Sequence, residues 1–177
     1  MRYYEKGSDI WFGDFDDADF YHIEQTSIYQ KRMNPRGIST AEFLLIQSDD
    51  KASGRKLLVI EAKKTLAATG TDDFHANLKK IARQFMDSLL LAFGIWLGSH
   101  DKNSKDELPL NYIHFFENGR SILFVLVIKK REEDMINIAD TLKSEYLRKE
   151  RRILGFDVLV MNEEQAQRAG LVMCSRE

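Results

Sequence analysis

Ile122-Leu123-Phe124-Val125-Leu126-Val127-Ile128 is an unbroken apolar run with neither a charge nor a turn residue inside it. A strand with one face in water alternates apolar and polar side chains, so a run without alternation fits a strand covered on both faces by helices. Phe156-Asp157-Val158-Leu159-Val160-Met161 reads as another central strand, followed by a short helix near 163–169. Between the two runs, residues 133–152 put Met135, Ile138, Ala139, Leu142 and Tyr146 on one helical face. Arg148, Lys149, Arg151 and Arg152 then fall near the C-terminus of that helix, where cations favour the helix dipole. The longest amphipathic pattern covers 74–97, with Phe74, Leu78, Ile81, Ala82, Phe85, Leu89, Ala92, Phe93 and Trp96 at spacings of three and four. Thr71 or Asp72 is placed to cap it. Residues 98–109 form a polar loop.

Upstream, Ile38 to Gln47 and Lys56 to Lys64 are strand candidates joined by a polar connection over 48–55, which predicts an antiparallel hairpin. The second of these strands carries Glu61 and Lys63, two residues apart and therefore on one face of the sheet. A carboxylate in an apolar strand is costly unless it is paired, hydrogen-bonded or bound to a metal. If Ile46 pairs with Leu57 and Leu44 with Val59, Glu42 falls opposite Glu61. Two carboxylates so placed repel, and a divalent cation between them turns repulsion into coordination. The plain alternative is a same-face ion pair of Glu61 and Lys63 on an exposed edge strand. Asp49-Asp50-Lys51 repeats the spacing in the hairpin loop, where all three side chains can be solvated. Residues 18–33 allow a short strand and a helical turn, Asn34-Pro35-Arg36-Gly37 is a turn, and Asp14, Asp16 and Asp17 suit a solvated turn or a helix start.

The chain of 177 residues is expected to form a single domain over 1–177. With 44% hydrophobic and 31% charged residues it reads as an ordinary globular protein. A net charge of -2 leaves no global basic field, so any nucleic-acid contact must come from a local patch. Cys174 is the only cysteine, which excludes an internal disulfide and fits a reducing setting. No apolar run has the length of a membrane span, and Met1 to Lys6 has no apolar signal core, so the expected location is cytoplasmic with no membrane partner. His22, His75, His100 and His114 show no zinc spacing, and neither a Gly-rich phosphate loop nor a nucleophile elbow is present.

The order hairpin, helix, buried strand, helix, buried strand, with Glu42 on one strand and Glu61-Ala62-Lys63 on the next, resembles the PD-(D/E)xK nuclease superfamily and its restriction-endonuclease-like fold. The likeness spans roughly residues 18–161 and is closest to divergent bacterial members with a Glu-Ala-Lys variant. It departs from the family pattern at Ala41-Glu42, where Pro is absent and Glu replaces Asp. The resemblance implies an α/β three-layer sandwich with a mixed central sheet, an antiparallel hairpin and flanking helices. It also implies a metal-dependent nuclease acting on nucleic acid, with DNA the first expectation. Glu42, Glu61, Lys63 and the upstream Glu24 would be catalytic, and Mg²⁺ or Mn²⁺ would be held by Glu42, Glu61 and the Ala62 carbonyl. Mg²⁺ takes one or two protein carboxylates and keeps several waters, which this donor set would satisfy. Lys63 would orient the attacking water or stabilise charge in the transition state.

Lys64, Lys79, Lys80, Arg83 and Gln84 are the candidate nucleic-acid contacts, the last four read as lying off the apolar stripe of the long helix. Gln84 resembles the helical Gln of some nucleases of the superfamily, without the aromatic four residues on, since position 88 is Ser. Two other readings stay open. One is a catalytically inactive subunit of this fold that binds nucleic acid or a partner protein in a defence or repair assembly, as a homodimer or within a larger complex. The other is an unrelated α/β binding module, with Glu42 and Glu61 far apart or on opposite faces.

Overall fold

The computed structural model describes residues 1–49, 54–99, 104–118, 121–131 and 133–173. Asp50 and Lys51 of the second Asp-x-Lys spacing, His100 and Cys174 lie outside the described residues. The architecture is α/β: a mixed five-stranded sheet and a two-stranded antiparallel sheet, flanked by helices. The small sheet is a hairpin of β1 (Tyr3–Glu5) and β2 (Ile10–Phe12). The large sheet runs in the order β3 (Phe20–Tyr21), β4 (Phe43–Asp49), β5 (Gly54–Lys63), β6 (Ser121–Ile128), β7 (Asp157–Asn162). Its first three strands are antiparallel neighbours, whereas β5, β6 and β7 run parallel. Parallel neighbours need crossovers, supplied by α1 (Asp72–Trp96) with α2 (Leu110–Asn118), and by α3 (Met135–Thr141) with α4 (Arg148–Leu154).

The apolar run does what its pattern requires. Phe124, Leu126 and Ile128 of β6 join the core beneath α1, while Val125 and Val127 join a second core on the opposite face. That second core is closed by Ile10 and Phe12 of the N-terminal hairpin, by Ala166 of α5 (Glu163–Arg168), and by Leu171 and Val172. The α1 stripe packs as its period dictates: Phe74, Leu78, Ile81, Phe85 and Leu89 are buried, and Phe85 stacks on Phe124 with ring centroids 4.8 Å apart. The Thr71 side chain caps α1, accepting the Phe74 N–H at 3.2 Å, and Asp72 and Asp73 in the first turn suit the helix dipole.

Several expectations need correction. The first hairpin strand begins at Phe43, so residues 38–42 approach the sheet without belonging to it. The helix expected over 133–152 is three pieces, α3, a π-helical segment Leu142–Tyr146, and α4. Arg148 therefore opens a helix, and only Arg151 and Arg152 lie in its last turn. β7 is an edge strand, and its alternation shows it: Val158 and Val160 are buried while Asp157 and Leu159 are exposed. Hydrophobicity had suggested a central strand, but the sheet ends there. The helix α2 within 110–118 and the hairpin of β1 and β2 were not legible from the periodicity.

Candidate active site

The hairpin of β4 and β5 has the expected register: Ile46 faces Leu57, Leu44 faces Val59 and Phe43 faces Ile60. Glu42 is the next residue before β4, so continuing that register brings it toward Glu61. β5 is not an edge strand; it lies between β4 and β6, and Glu61 beside Leu126 is 0% exposed. The same-face ion pair of Glu61 and Lys63 is therefore present, but on an inner strand and not on an exposed edge. Lys63, two residues on, is partly exposed at the strand end and holds Glu61 Oε1 by a direct charged hydrogen bond. The other oxygen, Oε2, is buried and has no hydrogen-bond partner among the described residues.

The electrostatics follow from burial. Desolvation, followed by the charge of Glu61, pushes the Glu42 carboxyl up to about 8. Desolvation also pushes Glu61 up to about 7, against the opposing pull of Lys63. Burial alone would lower the Lys63 ammonium, but the attraction of Glu61, its hydrogen bond, and the charges of Glu42 and Glu5 hold it above its ordinary value. Lys63 thus remains a fixed positive charge beside two carboxyl groups whose proton affinity lies near neutrality.

The segment leading into Glu42 is clamped by α1. Ser88 Oγ accepts the Ala41 N–H at 2.7 Å and donates to the Gln84 carbonyl at 2.8 Å. One turn earlier, Gln84 Nε2 donates to the Thr40 carbonyl at 3.0 Å. Gln84 is 7% exposed, so the expectation that it lies on a solvated helix face is corrected: the buried stripe is wide enough to include it. Its position fixes the backbone before Glu42. Lys79, Lys80 and Arg83 are exposed, with Arg83 ion-paired to Asp87 at 3.4 Å, and Lys64 is exposed just beyond β5.

Glu24 lies in a 3-10 turn, Ile23–Gln25, rather than a long first helix. Its Oε1 accepts hydrogen bonds from the Thr40 hydroxyl at 3.1 Å and the Tyr29 hydroxyl at 3.2 Å. Its charge adds to the upward shifts of both Glu42 and Glu61, so it borders the same region through Thr40. The residues missed by sequence reasoning are Tyr3, Glu5, Gln84 as a clamp, and Ser88. Gln84 and Ser88 left a signal, a polar pair one turn apart within an apolar stripe. Tyr3 and Glu5 come from β1, and the Tyr3 hydroxyl, kept protonated by burial and by Glu42, donates to Glu42 Oε2 at 3.3 Å.

Among the described residues, no group of three or more His, Cys, Asp and Glu side chains is gathered tightly enough to hold a metal ion by side chains alone. The expected donors, the Glu42 and Glu61 carboxylates and the Ala62 carbonyl, are all hard oxygens, and of these Glu61 Oε2 is buried without a partner among the described residues. That set suits Mg²⁺ or Mn²⁺, which complete their shells with water. No helix among the described residues is long and apolar enough to cross a membrane. No protein-family model, curated protein or solved structure matches the chain.

Proposed function

We propose that the chain is a metal-dependent nuclease of the restriction-endonuclease-like type, hydrolysing phosphodiester bonds of nucleic acid, with DNA the first substrate to test. The observation that carries this reading is Glu61: a wholly buried carboxyl on the central sheet, one oxygen held by Lys63 and the other without a partner. Burying a carboxylate costs several kcal/mol unless its lone pairs are satisfied, so an orphaned oxygen beside a second carboxyl group favours a cation as the missing partner. Glu42, Glu61 and the Ala62 carbonyl would hold Mg²⁺ or Mn²⁺. Such an ion, when bound, stabilises charge on the phosphoryl oxygens and lowers the pKa of a water ligand.

The chain's own residues supply the remainder. Lys63 places a permanent positive charge where negative charge develops on the scissile phosphate, and its tether to Glu61 fixes its position. Gln84 and Ser88 hold the backbone that presents Glu42. Lys64, Lys79, Lys80 and Arg83 are placed on the surface, where cations can contact a phosphate backbone without reading sequence.

One rival is a nucleic-acid-binding member of the same fold without catalysis, in which the Lys63–Glu61 pair serves only to hold the buried carboxyl in the sheet. Single-stranded DNA, double-stranded DNA and RNA incubated with the purified chain and Mg²⁺ or Mn²⁺ separate the two. Metal-dependent cleavage that disappears in Glu61→Gln is expected. Binding of nucleic acid with no cleavage of any substrate establishes the rival, and absence of both overturns the nuclease reading.

A further inference from the structure

The N-terminal hairpin enters the candidate site. Alternation along β1 puts Tyr3 and Glu5 on one face, and the Tyr3 hydroxyl reaches Glu42 Oε2 at 3.3 Å. The ring that carries this hydroxyl is held on several sides. It meets Phe43 edge-on at 5.5 Å between centroids, and lies 5.9 Å from Phe20 and 5.1 Å from His22. Phe43 directly follows Glu42 and pairs with Ile60, the residue before Glu61. One aromatic side chain therefore rests on Phe43, at the start of the strand that Glu42 leads into, and hydrogen-bonds the Glu42 carboxylate. Glu5 is also fixed, because its carboxylate accepts the N–H groups of Gly7, at 2.8 Å, and of Ser8.

We propose that Tyr3 is a positioning residue that orients the Glu42 carboxylate toward a divalent cation, an inference that rests on the metal-site reading above. With Oε2 engaged by the hydroxyl, rotation of the carboxylate is restrained and Oε1 is left for the ion. Groups that hydrogen-bond a metal-ligating carboxylate fix its orientation, and their loss typically costs about 10–100-fold in metal affinity. The donor comes from a hairpin outside the main sheet, so the hairpin is a wall of the site as well as a cover for the second core.

Calorimetric titration of the full chain with Mn²⁺ tests this, comparing wild type, Tyr3→Phe, Glu42→Gln and the double variant. Tyr3→Phe keeps the ring and removes only the hydroxyl. The expected result is about tenfold weaker Mn²⁺ binding with a metal-free thermal midpoint near wild type. In the Glu42→Gln background, Tyr3→Phe should cost little further affinity, since the two act as a unit. Equal affinity of Tyr3→Phe and wild type overturns the positioning role, as does an equal loss in both backgrounds. A wild-type chain that binds no Mn²⁺ removes the metal site itself, an outcome separate from failure at Tyr3 alone.

Discussion

Lys63 reaches back along β5 to the carboxylate of Glu61, joining a partly exposed ammonium to a side chain with no exposure of its own. The pair explains how a carboxyl group can sit in the middle of a five-stranded sheet. It also fixes what should happen when either partner is changed.

Replacing Lys63 by Ala leaves Glu61 buried without its counter-charge. Breaking a buried pair costs about 3–5 kcal/mol, and the partial exposure of Lys63 brings the expected loss to about 2–4 kcal/mol at pH 8. The loss should shrink below pH 7, where Glu61, already raised to about 7, takes up a proton. Urea unfolding at both pH values measures this. A pH-independent loss would contradict the pairing, and undiminished metal-dependent turnover would remove Lys63 from the mechanism.

The metal-free chain should lose stability as pH rises. Glu42 at about 8 and Glu61 at about 7 hold protons in the folded state that ordinary carboxyls near 4.5 have released when unfolded. The folded state thus binds more protons, and its stability falls with rising pH between about 4.5 and 8. Mn²⁺ competes with those same protons, so its affinity should climb across pH 7–8. Thermal melts with chelator present, and Mn²⁺ titrations at stepped pH, check the two halves. A melting temperature that rises through this window would show both carboxyl groups to be ionised in the fold.

If Glu61 is a ligand of the proposed ion, Glu61→Gln should weaken Mn²⁺ binding more than about tenfold, a larger loss than that of a supporting group. After burial, Glu61 is the next cause of the high Glu42 value, so the same change should bring Glu42 down. Carboxyl carbon shifts followed by NMR titration report that value directly. An unmoved Glu42 would separate the two groups in space.

Ser88→Ala leaves the Ala41 N–H buried without an acceptor, at a cost of about 1–3 kcal/mol. Because Ala41 precedes Glu42, Mn²⁺ affinity should fall with it. Denaturant unfolding beside calorimetry tests both, and stability lost with affinity retained would make Ser88 a packing residue only.

If the exposed cations contact phosphates, changing Lys64 or Lys79 to Ser should each flatten the salt dependence of DNA binding by roughly one unit of slope. Gln84→Ala should not, being buried against Thr40. Filter-binding isotherms at stepped salt give the slopes.

How much was legible depended on period. The β4–β5 register matches the conditional pairing of Ile46 with Leu57 and Leu44 with Val59, but Phe43 to Ile46 and Leu57 to Ile60 are apolar on both faces, so their pattern alone does not select it. The α1 stripe followed from 3.6 periodicity over a long helix. Gln84 was misassigned because polarity was taken for exposure, while its hydrogen bond to Thr40 allows it to be buried. Tyr3 and Glu5 were hidden because three-residue strands carry too few turns of alternation to be recognised. The central placement expected of Phe156 to Met161 failed because a strand's composition does not reveal whether another strand lies beyond it.

The hairpin that carries Tyr3 is fastened to the far end of the described chain: Phe12 bridges Val172, Gly13 donates to the Leu171 carbonyl at 3.3 Å, and Met173 donates to the Trp11 carbonyl at 2.9 Å. These are among the most sequence-distant contacts the molecule makes, so their loop closure is entropically the most demanding. During synthesis, Glu42, Glu61 and Lys63 leave the ribosome long before residues 171–173. The hairpin that carries Tyr3 therefore gains its last fastening only when nearly the whole described chain has been made.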